Sequence, residues 1–453
     1  MAYTDKLFLA VFVALLVAAR LLKNRPALKE WVIVAFGLAL ILSWGAPSLL
    51  TFLAIATVNY GAAILIARSG DKRILAAAIA IDLLALATFK YRDFLGADLA
   101  AVSGTRLPVF TLGIPLAISF YTFHVISYLV DLRAGKAALV GPRKYIFYLG
   151  FFPHVIAGPI VRPWQLMPQA GKVRVSRGDG VIGLHHLAVG MFLKLVVADN
   201  IAGIIDPVWD GTAAFALTSA DRIAAAILYY CQIYADFAGY TLMALGMARL
   251  LGYRLPPNFR QPMFAASLSE FWRRWHITLS RWLRDYLYRP LGGNRKGPGR
   301  TLANLMITMF LGGLWHGAGW GFAVWGLMHG AGLAAERLLG RRNPVGALRP
   351  VWWLFTQVWV TIAWVFFRAP DLGHAGSYLA GLVPLDGASF SLHAELGVGF
   401  LFAAGAVLQQ LVQVATARRP HQATTILAVS TAVAITLVLV VASPARVFIY
   451  FRF

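Results

Sequence analysis

Cysteine occurs once in this chain of 453 residues, at Cys231, so an internal disulfide is excluded and a cysteine-based metal site has no second thiolate to draw on. Charge is scarce. Asp, Glu, Lys and Arg together make 13% of the residues, about half of what a soluble globular domain carries, while 59% are hydrophobic. Acidic residues are scarcer still, 19 against 41 Lys and Arg, which leaves a net charge of +22. There is no Gly-x-Ser-x-Gly elbow, no Ser/His/Asp order, no metalloprotease helix motif and no phosphate loop with Gly-Lys-Ser/Thr, which disfavours hydrolases and ATPases of those types. Helical-array repeats, low-complexity tracts and interdomain linkers are also missing, so a single membrane domain over 1–453 is the economical expectation.

What is present is apolar length. Mean hydropathy is +0.68, and the apolar residues fall in blocks near the roughly 20 residues a membrane helix needs. They are Leu7–Leu22, Trp31–Ala67 (room for two short crossings), Ile74–Phe89, Val109–Val130, Ile146–Ile160, Leu184–Ile205, Arg222–Leu251, Leu302–Trp315, Trp320–Ala335, Val351–Phe367, Leu396–Val414 and Ile426–Val441. The first lacks a small-residue cleavage site and reads as a retained helix. The expected fold is an all-α polytopic membrane protein, with about 11–12 transmembrane or re-entrant helices around a central tunnel. Short segments are expected to re-enter where protein shields them.

The positive charge has a bland source in cytoplasmic loops and a local one. Between Arg254 and Arg300 stand ten Lys and Arg against only Glu270 and Asp285. Such a cluster suits an anionic ligand, a nucleotide-bearing acyl carrier or a lipid phosphate, and no nucleic-acid partner is expected. Within it, Ser269–Pro290 follows a helical period. Phe271, Trp272, Trp275, Leu279, Trp282, Leu283, Tyr286 and Leu287 fall on one arc; Glu270, Arg273, Arg274, Arg281, Arg284 and Asp285 fall on the other. This predicts an amphipathic helix lying in the membrane interface and ended by Pro290, with His276 on its apolar side. Gly292-Gly293-Asn294-Arg295 then reads as a tight turn whose cations suit a phosphate.

From Thr301 to Ala335 no charged residue occurs, yet Trp315-His316-Gly317 and, thirteen residues on, His329 lie inside this stretch. An ionisable ring in hydrocarbon is costly and is a functional candidate by default. Histidine also exchanges protons near neutral pH. Asp236 is a second buried ionisable group, for which pairing with Lys or Arg of a neighbouring helix is the plain alternative to a supporting role at the site. Lys194 and Asp199, in one segment, are further candidates for pairing within the bundle.

Together these strings resemble the membrane-bound O-acyltransferase family, most nearly its bacterial alginate O-acetylation branch. The likeness is strong over Ser269–Gly297, Gly313–Trp320 and Trp325–Gly330. It is weaker but ordered over Pro115–Asp131, Phe151–Ile160, Ala198–Asn200, Asp236–Gly239 and Trp364–Arg368, giving a motif-bearing core of about 115–368. The aromatic tail Phe448–Phe453 matches as well. Thr241-Leu242 and His124 depart from the branch, where Ser-Asp and Gln are usual.

The resemblance implies that His316 is catalytic and that His276 is its near-invariant companion, orienting the donor or stabilising the oxyanion. It implies no tightly bound cofactor or metal, and an acyl-CoA donor, acetyl-CoA or another acyl thioester. Trp272, Arg273, Trp275, Arg281, Asn294, Arg295, Trp315 and His329 become candidates for the tunnel or donor site. Tyr450 becomes a candidate acyl relay through its hydroxyl, beside the simpler role of an interfacial anchor. The expected function is O-acetylation of an exported or cell-surface polysaccharide from the bacterial cytoplasmic (inner) membrane. Periplasmic or extracytoplasmic acetyltransferase partner proteins and membrane lipid are the expected company. The rivals are a transporter or flippase for a lipid-linked or acylated glycan, and a scaffold for a secretion complex.

Overall fold

In the computed structural model the apolar runs are helices, and no strand occurs among the described residues, which are 3–104, 113–155, 158–171, 175–340, 346–383, 391–419 and 422–449. Helices satisfy every internal backbone donor and acceptor within one segment, which is what a lipid surround requires. Among the described residues five are long and apolar enough to cross a membrane alone: Ala46–Ser69, Arg177–Trp209, Gly346–Arg368, Ala394–Arg418 and Ala423–Val441. Lys72–Lys90 and Arg92–Ala100, bent by 61° at their junction, make a sixth as one broken span.

Of the other expected segments, Val109–Val130 is helical from Ile118, its residues 109–112 lying outside the described ones, and Ile146–Ile160 is instead two short helices, Pro142–Gly150 and Phe152–Val155, its residues 156 and 157 lying outside the described ones; the rest are helical, for physical reasons that shorten or dilute them. The Trp31–Ala67 block breaks at Gly45, whose φ of 109° suits only glycine, into Pro26–Leu42 and Ala46–Ser69. Lys6–Leu21 and Pro26–Leu42 have 16 and 17 residues, at the short end for a lone crossing. Gly297–His316 and Trp320–Leu338 are long enough, but glycine, tryptophan and histidine lower their hydropathy.

The chain packs as two compact units. One comprises Met1–Leu184 with Ala244–Pro256, the other His185–Met243 with Pro257–Phe453. In the first, the buried polar side chains Asp82, Glu30 and Lys29 each find a partner. Asn59 Nδ2 donates to Asp82 Oδ1 at 2.7 Å between neighbouring helices, Arg143 reaches Glu30 at 2.6 Å, and Lys29 Nζ donates to the Leu251 carbonyl at 2.7 Å. The second unit holds the residues singled out as candidates. Its centre is a helical hairpin, Gly297–His316 against Trp320–Leu338, closed without side-chain spacing. A Cβ on Gly313 would run into the Phe322 carbonyl, and one on Gly326 into that of Met309.

The predicted continuous helix over Ser269–Pro290 is instead two short helices, Leu268–Arg274 and Ile277–Leu283, followed by a π-helical turn, Arg284–Tyr288. The break falls at His276, whose φ of +40° and ψ of 53° place it in the left-handed region. Periodicity did not reveal the break because both halves keep an apolar and a basic side. Trp282 and Leu283 are buried as expected, and Arg273, Arg281 and Arg284 are exposed.

Candidate active site

The first short helix is fixed at its start by local chemistry. Ser267 Oγ accepts from the Glu270 N–H at 3.0 Å, and Glu270 reaches back to the Ala266 N–H at 2.8 Å, the reciprocal pattern of a capped N-terminus. Glu336, from the Trp320–Leu338 helix, accepts the N–H groups of Leu268 and Ser269. Two turns earlier on that helix stands His329, which accepts a hydrogen bond from Trp272 Nε1 at 3.3 Å.

His276 is fully buried, and Asn258 holds the left-handed turn of its backbone. The Ile277 N–H donates to the Asn258 carbonyl at 2.9 Å. Asn258 Oδ1 accepts from the Thr278 N–H at 3.1 Å and from Thr278 Oγ1 at 2.8 Å, and the same oxygen faces His276 Nδ1 at 3.2 Å. Because a backbone N–H must donate, the Asn258 atom is the oxygen. Because that oxygen only accepts, His276 carries its proton on Nδ1 and a lone pair on Nε2. Nε2 has no hydrogen-bond partner among the described residues. Burial holds the proton affinity of His276 far below the usual imidazole range, to about 3, so the ring is neutral at any ordinary pH.

His329 has the opposite tautomer. Its Nδ1 accepts from an indole N–H, which only donates, so the proton sits on Nε2.

His316 closes the Gly297–His316 helix and is 4% exposed, against none for His276 and His329. Its ring centre lies 6.2 Å from that of His276. Trp315 and Trp325 present edges to it at 5.0 and 5.2 Å, and Phe367 packs at 5.5 Å. Trp325 continues to His329 at 4.8 Å, and His329 to Trp272 at 5.1 Å. Trp275 stacks on Phe271 at 5.5 Å and packs against Trp364 at 5.2 Å. The structure therefore gathers His276, His316, His329, Trp272, Trp275 and Trp315 into one buried set of rings.

Arg273, Arg281, Asn294 and Arg295 are exposed on the surface. The glycine turn beside them forms as expected, with φ of 113° at Gly292 and 56° at Gly293. Buried Asn304 ties it to the hairpin by donating to the Gly293 carbonyl at 2.9 Å. Asp236 is paired with a lysine of a neighbouring helix. Lys194 Nζ sits 2.6 Å from Asp236 and 2.8 Å from Asp199, all three buried. Tyr450 and Phe451–Phe453 lie outside the described residues, but Phe448 and Ile449 are placed and buried.

Sequence reasoning missed Asn258, Trp325 and Phe367. Asn258 is an amide in a run of loop residues eighteen positions before the histidine it orients, and no periodic signal links the two. Trp325 was visible only as part of the Trp325–Gly330 motif.

The model of the family described as MBOAT, membrane-bound O-acyltransferase, matches residues 133–367. A protein of Azotobacter vinelandii named "Probable alginate O-acetylase AlgI" is 38% identical over 352 residues, which cover 75% of this chain and 69% of that one. The peptidoglycan O-acetyltransferase of Helicobacter pylori is 36% identical over 335 residues, 67% of this chain and 63% of its own. The teichoic acid D-alanyltransferase of Streptococcus thermophilus is 28% identical over 233 residues, 48% of this chain and 55% of its own.

Proposed function

The chain belongs to the membrane-bound O-acyltransferase family, and from that premise we propose that this multi-pass membrane enzyme moves an acetyl group from a cytoplasmic thioester such as acetyl-CoA to a hydroxyl bound for a surface polysaccharide. The membrane is the bacterial inner membrane, where a donor from the cytoplasm and an acceptor from outside can meet at one buried site. The relatives named above act on alginate, peptidoglycan and teichoic acid, so an exported cell-surface polymer is the acceptor class, and extracytoplasmic acetyltransferase partners complete delivery.

The observation that carries this reading is the pair of imidazoles with ring centres 6.2 Å apart inside a wall of aromatic rings. His316, the slightly accessible member, takes the proton of the acceptor hydroxyl as the oxygen attacks the thioester carbonyl. The carbon–sulfur bond then breaks, and the thiolate receives the proton from the imidazolium, leaving an ester, free CoA and a neutral histidine. General-base work of this kind is worth about 10²–10⁴ in rate. The lone pair on His276 Nε2 favours the orienting role of the two expected for that residue: it accepts an N–H or O–H from an incoming substrate, whereas binding an oxyanion would need a second proton on the ring. The exposed cations Arg273, Arg281 and Arg295 attract the anionic nucleotide end of the donor. Tyr450 is the first acceptor, holding the acyl group as an aryl ester before it passes outward.

The test is CoA release from acetyl-CoA by purified protein, with mass spectrometry of the C-terminal peptide. His316→Ala should cut release by at least about a hundredfold. Tyr450→Phe should abolish acylation of that peptide. A His316→Ala protein with full activity would sink the assignment of the base, and wild-type protein that never releases CoA would sink the reaction.

A further inference from the structure

Lys194 lies in a π-helical turn, Phe192–Ala198. Residues five apart diverge on an α-helix but come side by side where the turn widens to i→i+5. This is how Lys194 and Asp199 meet at 2.8 Å, while Asp236 closes on the same ammonium at 2.6 Å from the neighbouring helix. Tyr240 lies under the ammonium at 5.7 Å. One cation and two carboxylates leave a buried group with an excess of acceptors.

The missing donors come from the chain's last described residues. The Ile449 N–H donates to Asp236 Oδ2 at 2.7 Å, and the Arg446 N–H to Asp199 Oδ2 at 3.1 Å. The Arg446 guanidinium reaches Asp206 at 2.8 Å, and its other nitrogen comes within 3.3 Å of where a Cβ on Gly203 would stand. Upstream, Ser443 donates through N–H to the Leu195 carbonyl and through Oγ to Asn200 Oδ1. Between the two backbone contacts Phe448 is buried on Tyr240 at 4.1 Å and Phe237 at 5.9 Å, and Phe237 sets its edge on the His276 ring at 4.7 Å.

We infer that Lys194, Asp199 and Asp236 are positioning residues: a charged clasp that fixes the register of segment 443–449 by its backbone and so seats Phe448 on Phe237, the ring that packs edge-on against His276. Recognition through main-chain N–H groups sets position along the segment whatever side chains it carries, while the Phe448 site sets its depth. The role rests on the acyl-transfer reading, but the clasp itself can be tested without it.

The experiment uses full-length protein in detergent and two readouts, tryptic cleavage after Arg446 and CoA release at varied acetyl-CoA. Ile449→Pro removes the N–H that Asp236 accepts and leaves the buried triad untouched; Ile449→Val keeps it. Asp236→Asn weakens the same bond from the other side. The expected result is a protected tail in wild type and Ile449→Val. Cleavage should be at least tenfold faster in Ile449→Pro and Asp236→Asn, with kcat lowered by a similar factor and KM for the donor unchanged. Equal protection in all four proteins would overturn the clasp. Faster cleavage with unchanged kcat would overturn its part in the reaction. Wild-type protein that releases no CoA would overturn the positioning role along with the transfer reading, while the cleavage rates still decide whether the tail is held.

Discussion

Asn258 Oδ1 lies 3.2 Å from Nδ1 of His276, and this contact decides which nitrogen of the ring has a lone pair to offer. The oxygen is pinned by two further donors from Thr278, so it cannot turn its amide nitrogen toward the ring without losing both. Asn258→Leu should therefore release the tautomer while keeping the branched shape of the side chain. Acetyl transfer is expected to fall by about 10–100-fold, as for other groups that orient a reacting imidazole, with the fold intact by circular dichroism. Asn258→Asp should place a carboxylate against Nδ1 and raise the proton affinity of His276, so that activity is lost on the acid side at a higher pH than in wild type. A pH–rate profile of the two variants measures both effects.

A stability consequence follows from the same burial. An exposed histidine takes its proton near pH 6.5, whereas in the fold His276 does so only near 3. The folded state thus favours the neutral ring. This contribution is whole above about pH 6.5 and is lost as the pH falls from there toward 3, by about 2 kcal/mol at pH 5. Thermal melting in detergent between pH 7 and pH 5 should show the wild type losing more stability than His276→Gln.

Gly313 is a spacing residue three positions before His316. A methyl group there meets the backbone of Phe322, which cannot swing aside as a flexible side chain would. Gly313→Ala should lower the melting temperature, at a cost of about 1–3 kcal/mol. It should also depress kcat by opening the hairpin that carries the histidine. A variant with an unchanged melting temperature would show that the two helices can part at no cost.

The exposed arginines act at longer range. Arg273→Gln with Arg281→Gln should raise KM for acetyl-CoA several-fold and leave kcat near its wild-type value. The difference should shrink as salt rises past about 0.15 M, where screening acts within 8 Å. Initial rates at two ionic strengths check this.

Much of the candidate site was legible because its members violate their surroundings. His316 and His329 are polar rings in a run without charge, and His276 is a polar ring on an apolar arc. The turn at Gly292-Gly293 was legible because adjacent glycines point to φ angles that other residues avoid. What sequence patterns did not disclose is contact between distant segments. Asp236 and Lys194 each stood out as buried charges, but nothing in their spacing shows one ammonium shared by two carboxylates, since the π-helical turn that joins it to Asp199 has no composition of its own. The interruption at His276 was hidden for a related reason: Trp275 and Ile277 are both buried, so apolar periodicity runs straight through a backbone that reverses its hand.

That reversal makes position 276 answer to two requirements at once. Its main chain occupies a region that asparagine and glycine tolerate and β-branched residues resist. A saturation library at this codon should sort accordingly: asparagine would keep the protein abundant in the membrane yet inert, and valine would deplete the protein itself. Abundance and turnover, scored separately, would part the demands of the path from those of the imidazole.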